Sequence, residues 1–464
     1  MAAEGVFLPS GLEGAHVMAG HGWPNLAILR WLESLLGERF GLEVVLTRQG
    51  GRLHLSLPGR PGCIDFAVND SDLAGSIPVA SWPAKEEGWQ PVWLDELKAP
   101  GVSSLRSPLI VQTPEGMDVD YDVLGFVYWM LARCEEVTSG VMDEHGRFPA
   151  RASHAFQQGY HDRPIVDEWL ALLGQMICRQ WDVTVSQRPF TVLVSHDVDE
   201  PSRYAFRSFK GLIRAMGGDL LRRKNPLAAL RAPWLKLASR RRISTLDPSN
   251  TFDWLMAESE RRGMVSAFYF ICGRTDPGKD ADYEIEHPAM RSLLREIHGR
   301  GHEIGLHPSY GTFLSPDALE LEAARLRQVC AEEGVLQAQW GGRMHFLRWR
   351  HPITLNAWEQ AGMAYDSTLG YAELPGFRCG TCHEYQAFDP VALRPLNLRI
   401  RPLIVMDVTL LSSSYLGLAE EEAYQLSMGL RDACKAVGGN FTLLWHNSNL
   451  QSVEERRLYS RILG

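Results

Sequence analysis

Thr191-Val192-Leu193-Val194-Ser195-His196-Asp197-Val198-Asp199 is the stretch on which the reading of this chain turns. Its first four residues, Thr191 to Val194, form a short apolar run that predicts a buried strand. Polar residues of a chemically useful kind follow at once. In a parallel α/β sheet, reactive groups collect where strands end. Two carboxylates flanking a single residue lie on the same side of an extended strand. One of the pair can bind a metal ion while the other acts as a base toward water.

Working outward, the same grammar recurs. Glu303 to Leu306 is followed by His307-Pro308-Ser309-Tyr310, and Gly342-Arg343-Met344-His345 stands just beyond Trp340. Met363-Ala364-Tyr365 runs into Asp366-Ser367-Thr368, and Leu443-Leu444-Trp445 into His446-Asn447-Ser448. One histidine after a strand is usually structural, but five polar clusters that each end an apolar run point to a shared rim. Strands are predicted at Met264 to Ile271, Glu303 to Leu306, Leu403 to Met406 and Phe441 to Trp445. Helices are predicted at Phe252 to Arg262, Pro288 to His298, Pro316 to Cys330 (capped by Ser315), Pro352 to Ala361 and Glu420 to Val437. This alternation implies a parallel sheet, open or closed into a barrel.

A polar stretch, Thr184 to Phe190, separates this half from residues 1–185, which read as a smaller α+β domain. There Leu26 to Leu36 has helical spacing, and Leu42 to Leu46 and Leu53 to Leu57 form a hairpin candidate about Gly50-Gly51. Val123 to Leu131 and Val166 to Ile177 read as helices, while Glu135-Glu136, Asp143 and His145 could form a site but read better as solvated surface.

The chain has 464 residues, 45% hydrophobic and 22% charged, which fits a globular protein of two or three domains. A net charge of -9 argues against a general nucleic-acid binder. Met1 to Gly20 shows no leader pattern and no apolar stretch has spanning length, so a cytoplasmic location is expected. The eight scattered cysteines read as reduced thiols. Cys379-Gly380-Thr381-Cys382-His383 has the spacing of haem attachment, but reads as a turn with incidental cysteines. Residues 205–243 break the rhythm with eleven basic residues against Asp219 alone, interleaved with apolar ones. Two readings stand there: an amphipathic insertion meeting an anionic surface (the inner face of a membrane, a lipid-linked glycan or a nucleotide phosphate), or a solvated helical excursion covering the barrel.

Taken together, the motifs from about Phe190 to Ser448 resemble the polysaccharide deacetylases, whose shared unit is the NodB homology domain. The longer stretches, including Gly376-Phe377-Arg378, resemble a divergent subgroup with an extra N-terminal domain. The resemblance implies a distorted (β/α) barrel and a divalent metal, zinc in the first instance. The implied reaction is removal of an acetyl group from a sugar, an N-acetyl by preference, in glycan or surface-polysaccharide biosynthesis. It makes Asp197 the base, with Arg343 orienting it, Asp199 and His307 metal ligands, and His446 the acid; Asp366 corresponds to a further motif. Substrate contacts would come from Tyr310, Tyr371, Arg378 and Trp445. The family's second metal histidine falls four residues after the first, where this chain has Gly311. His345 is the nearest replacement, and His302 is the other option, although strand geometry turns it away. Another C–N hydrolase on the same barrel, or a glycan-binding relative without metal, are the alternative functions.

Overall fold

The computed structural model describes residues 22–69, 78–221 and 223–464. Met1 to Gly20, read above for a leader, and Arg222 of the basic stretch lie outside the described residues. Among the described residues, seven strands precede residue 185: β1 Val45–Gln49, β2 Arg52–Ser56, β3 Cys63–Ala67, β4 Val79–Trp82, β5 Leu97–Pro100, β6 Ile110–Thr113 and β7 Gly116–Val119. Nine of the described residues' strands follow it: β8 Thr191–Val198, β9 Ser266–Phe270, β10 Glu303–Leu306, β11 Gly341–Gly342, β12 Tyr365–Asp366, β13 Tyr385–Asp389, β14 Arg394–Ile400, β15 Val405–Met406 and β16 Asn440–Leu444.

The second set forms one sheet in the order β13-β14-β12-β11-β10-β9-β8-β16-β15. Every pairing from β14 through to β15 is parallel. The composition of β9 explains its central place: all five of its residues are buried, as a strand covered on both faces requires. Amphipathic helices supply the cover. In Pro288–Gly299, Met290, Leu293, Leu294 and Ile297 face inward at helical spacing, and Pro288 opens the helix where its missing N–H costs nothing. Pro316–Glu332 buries Leu319, Ala323, Leu326 and Cys330 in the same way, although the Ser315 side chain makes no capping hydrogen bond.

One expectation changes and one is narrowed. First, β8 does not stop at Val194 but continues to Val198, so Asp197 lies inside the strand rather than beyond it. Second, the ladder has two ends, β13 and β15, and among the described residues no strand pair joins them. Backbone bonds from Leu403 N–H to Leu369 O (3.1 Å) and from Gly376 N–H to Ile404 O (3.0 Å) bridge loops across that gap. The observed architecture is therefore a mixed α/β fold built on a parallel sheet whose ladder stays open.

The first set forms a five-stranded sheet, β1-β2-β3-β7-β6, with β4 and β5 paired apart. The predicted hairpin is present: β1 and β2 are antiparallel about Gly50 and Gly51, both at positive φ. The two sheets share one continuous apolar core. Trp31, on helix Leu26–Phe40, packs against Phe388 of β13 and donates to Gln386 O at 3.0 Å.

Glu136, expected at the surface, is buried. It accepts hydrogen bonds from Arg133 (2.9 Å) and Arg378 (2.6 and 3.0 Å). Burial opposes its charge, but the two guanidiniums outweigh it and pull the pKa down to about 2. Cys379 and Cys382 are buried free thiols on a turn in which Gly380 has φ +65°. Residues 205–243 hold a helical hairpin, Phe209–Leu221 and Pro226–Ala238. Among the described residues, no helix is long and apolar enough to cross a membrane.

Candidate metal centre and active site

Because the strands run parallel, their C-terminal ends share one edge, and the polar clusters converge there. Asp197 and Asp199 come from β8, His307 from β10, Arg343 and His345 from β11, Asp366 from β12 and His446 from β16. The two glycines of β11 let it enter between its neighbours; a Cβ on Gly342 would sit 1.9 Å from Leu306 O.

His307 Nε2 lies 3.3 Å and His345 Nε2 3.6 Å from Asp199 Oδ1, and ligand atoms of all three side chains fall within 4.8 Å of one another. Each ring is held from behind. His307 Nδ1 stands 2.6 Å from Arg343 O, an acceptor only, so Nδ1 carries the proton and the Nε2 lone pair faces Asp199. His345 Nδ1 stands 3.1 Å from Asp280 Oδ1, with the same consequence. Burial works against the Asp199 charge, but His345, His307 and His446, when they carry protons, outweigh it and hold the carboxyl below its usual range. Buried Asp199 Oδ1 nonetheless has no hydrogen-bond donor. Two imidazole nitrogens and a carboxylate, with an oxygen left unsatisfied between them, fit a borderline divalent cation such as zinc.

The second carboxylate of the pair, Asp197, is equally constrained. Arg343, fully buried, donates to Asp197 Oδ1 at 2.8 Å, to Ser195 Oγ at 2.9 Å and to Ser367 at Oγ (3.0 Å) and O (2.9 Å). Asp197 Oδ2 is left 3.6 Å from His307 Nε2. His446 Nε2 lies 3.6 Å from Asp199 Oδ2. Its Nδ1 meets Asp407 Oδ1 at 2.8 Å, and its backbone N–H meets Asp407 Oδ2 at 3.0 Å. Burial disfavours the charged ring of His446, yet Asp407, Asp199 and Asp197 outweigh that and push its pKa up to about 10.

Asp197, Asp199, His307, His345 and His446 line a cavity of about 170 Å³. Phe346, Leu347, Met406 and Val408 form apolar walls, and Arg147 and Tyr415 place polar groups at the side. The volume is below the roughly 300–1,000 Å³ of pockets that enclose a whole small ligand, so it suits one terminal group.

Several expected residues lie elsewhere. Asp366 does not line the cavity. It is buried behind Arg343, bonded to Thr368 N–H (2.9 Å) and Trp349 (3.2 Å), and burial raises its pKa to about 6. Arg378 is buried on Glu136 and donates to Gly370 O at 2.9 Å, so its charge is spent inside the fold. Tyr371 is buried against Phe148 and Ala150, and Trp445 is fully buried with its indole N–H on Asn449 O (3.0 Å). Tyr310 is outside the cavity lining, its hydroxyl 3.0 Å from His145 Nδ1 and its ring between Arg348 and Lys279. His302 accepts from Ser266 N–H and so points away from the cluster. A Cβ at Gly311 would meet Thr275 at 3.0 Å.

Three participants were not anticipated. Asp407 follows the two-residue β15, where the rule of polar residues after strands would have found it. Asp280 lies in a loop without periodic pattern. Arg147, which comes from the N-terminal half, lines the cavity and is held there by Asp143 at 2.6 Å.

Two other groups of donor atoms exist among the described residues: Asp167 with Cys382 and His383, and His54 with Cys63 and Asp65. The Asp167 carboxylate already accepts from Thr381 and the Cys382 N–H, beside Arg39 at 3.4 Å. His54 and Asp65 already pair with each other at 2.6 Å. Neither group lies at the parallel sheet's C-terminal edge.

Residues 76–182 match a family of unknown function, DUF7033. No curated protein matches the chain. Three solved structures are similar over 60% of it. One is a Mycobacterium smegmatis protein described as a polysaccharide deacetylase, at 15% identity, 84% of its length and a TM-score of 0.38. The second is Puue allantoinase, at 10% identity, 83% of its length and a TM-score of 0.36. The third is a Pseudomonas aeruginosa PAO1 protein also described as a polysaccharide deacetylase, at 15% identity, 84% of its length and a TM-score of 0.35.

Proposed function

We propose that this chain is a metal-dependent hydrolase that removes an acetyl group, in the first instance an N-acetyl, from a sugar. The observation that carries the reading is the convergence of Asp199, His307 and His345 beside a separate carboxylate, Asp197, that Arg343 fixes. In this reading Asp199, His307 and His345 hold a divalent cation, which supplies Lewis acidity at the floor of the cavity. Asp197 takes a proton from the attacking water through Oδ2, the oxygen that Arg343 leaves free. His446, kept protonated by Asp407, gives a proton to the departing amine or alcohol. The walls of Phe346, Leu347, Met406 and Val408 exclude bulk water around the acetyl methyl. Arg147 and Tyr415 offer donors to the sugar at the side of the cavity.

We further read the parallel sheet as a distorted barrel of the polysaccharide deacetylase type, and residues 1–185 as a domain that supplies part of the cavity wall. The test is acetate release from N-acetylated and O-acetylated sugar oligomers by the full-length chain. Release that needs a divalent cation and falls sharply in Asp197→Asn is expected. A metal-loaded protein that releases no acetate from any of them would overturn the reading.

A further inference from the structure

The hairpin Phe209–Leu221 and Pro226–Ala238 inverts the ordinary rule of burial. On its first helix Phe209, Ile213, Leu220 and Leu221 are 76, 54, 52 and 78% exposed. On the second, Leu227, Leu230, Trp234 and Leu237 are 61, 76, 56 and 59% exposed. Scattered exposed leucines need no explanation, but this is a cluster. Phe209, Ile213 and Leu220 share one stripe at helical spacing, and so do Leu227, Leu230, Trp234 and Leu237.

The hairpin is not loosely attached. Leu212, Ala232 and Leu235 close a small core on Tyr204. Asp219, fully buried, accepts from Tyr204 (2.7 Å), Arg203 (3.2 Å) and Arg223 (3.2 Å). Lys236 donates to Ala205 O and Arg207 O. One face of the hairpin is thus satisfied by the body of the protein, and the apolar stripes on the other side are not.

Charge identifies what would satisfy them. Lys210, Arg214, Arg223, Lys224, Arg231, Arg240 and Arg241 are exposed around the stripes, and the only acid, Asp219, is buried. The chain as a whole carries -9, so this cationic face stands against the average. Large aliphatic side chains and a tryptophan ringed by Arg and Lys match an anionic bilayer surface, where apolar groups enter the headgroup boundary and cations meet phosphate. A nucleic acid would use the cations but leave the leucine stripes in water.

We propose that the Phe209–Ala238 hairpin docks this protein peripherally onto an anionic lipid surface. The hairpin follows directly on β8, the strand that carries Asp197, so docking would hold the cavity close to the membrane. The proposal does not depend on the reaction assigned above.

The experiment is flotation of the full-length chain with vesicles of phosphatidylcholine alone and of phosphatidylcholine with phosphatidylglycerol. Wild type is expected to float with the anionic vesicles at low salt, to stay free of the neutral ones, and to release as salt is raised. Leu230→Glu/Trp234→Glu and, separately, Arg214→Glu/Arg231→Glu should each lower the bound fraction about tenfold or more. All four positions are exposed, so folding should be retained, and circular dichroism checks it. Wild type that ignores anionic vesicles at low salt overturns the proposal, as do variants that float like wild type. So does a wild-type dimer that Leu230→Glu/Trp234→Glu abolishes while vesicles capture nothing, or binding to duplex DNA in place of vesicles.

Discussion

The C-terminal edge of the parallel sheet and the Phe209–Ala238 hairpin break the same rule in opposite directions. At the sheet edge, charged groups are buried: Arg343, Asp366 and Asp407 are 0% exposed. In the hairpin, large apolar groups stand in water. The edge settles its account internally, since Arg343, Asp407 and the rings of His307, His345 and His446 each have a partner on the chain. Among the groups it leaves unpaired is an oxygen of Asp199, which the proposed cation would satisfy. The hairpin leaves over whole stripes, which call for a surface. The difference teaches that an exception to burial is informative in proportion to what the chain leaves unpaired.

The largest expected effect lies at the edge. Asp197→Asn keeps a bond to Arg343 but loses the base, and kcat for acetate release should fall by about 10²–10⁴ with little change in bound metal. Equal loss of metal and activity would make Asp197 a ligand instead. Next comes the buried pair behind the site: Arg378→Ala strands Glu136 and should cost about 3–5 kcal/mol in denaturant unfolding. A cost under about 1 kcal/mol would mean that Arg133 alone suffices. Asp407→Asn removes the charge that holds His446 and should lower kcat by about 10–100-fold, with the His446 titration moving down in a pH profile.

Acid sensitivity sharpens the contrast further. Glu136 has a folded pKa of about 2 against 4.5 when unperturbed. Its folded value is depressed, so its stabilisation is complete above about pH 4.5 and is lost as the pH falls toward 2. His351 and His383 are held neutral by burial, with pKa values lowered to about 4 from 6.5. They resist protons that the unfolded chain accepts, so their contribution is lost between about pH 6.5 and 4. Unfolding free energy should therefore decline through both windows, and Glu136→Gln should flatten only the lower one. The smallest effect belongs to the hairpin: Leu230→Gln should change stability by no more than about 0.5 kcal/mol. A larger loss would show that the stripe packs within the chain.

Much of this architecture was legible in the residues, and the misses have physical causes. The alternation of strands with helices, and the five polar clusters, were readable because apolar runs stop abruptly at the rim. β8 was cut short at Val194 because Ser195, His196 and Asp197 are polar yet buried, and a hydrophobic pattern cannot follow a strand through buried polar residues. β14 was missed because Arg394 and Pro395 open it like a loop, and Pro395 is tolerated at the strand's first turn beside a bulge. Arg378 and Tyr371 are close to the site in sequence motif but face the interior. Arg147 was invisible because a turn well before β8 carries no periodic mark of the cavity it reaches. His345 differs from these: the resemblance pointed to it as the nearest histidine in place of Gly311, two residues after Arg343, and its ring does lie beside Asp199 and His307.

That residue also offers the most direct test of the central claim. Metal content of the purified full-length chain should be measured by plasma mass spectrometry after loading with zinc and desalting, beside His345→Ala and Asp199→Ala. The account predicts one divalent ion per wild-type chain and its loss from both variants, with the fold retained. Full metal occupancy in His345→Ala would contradict it.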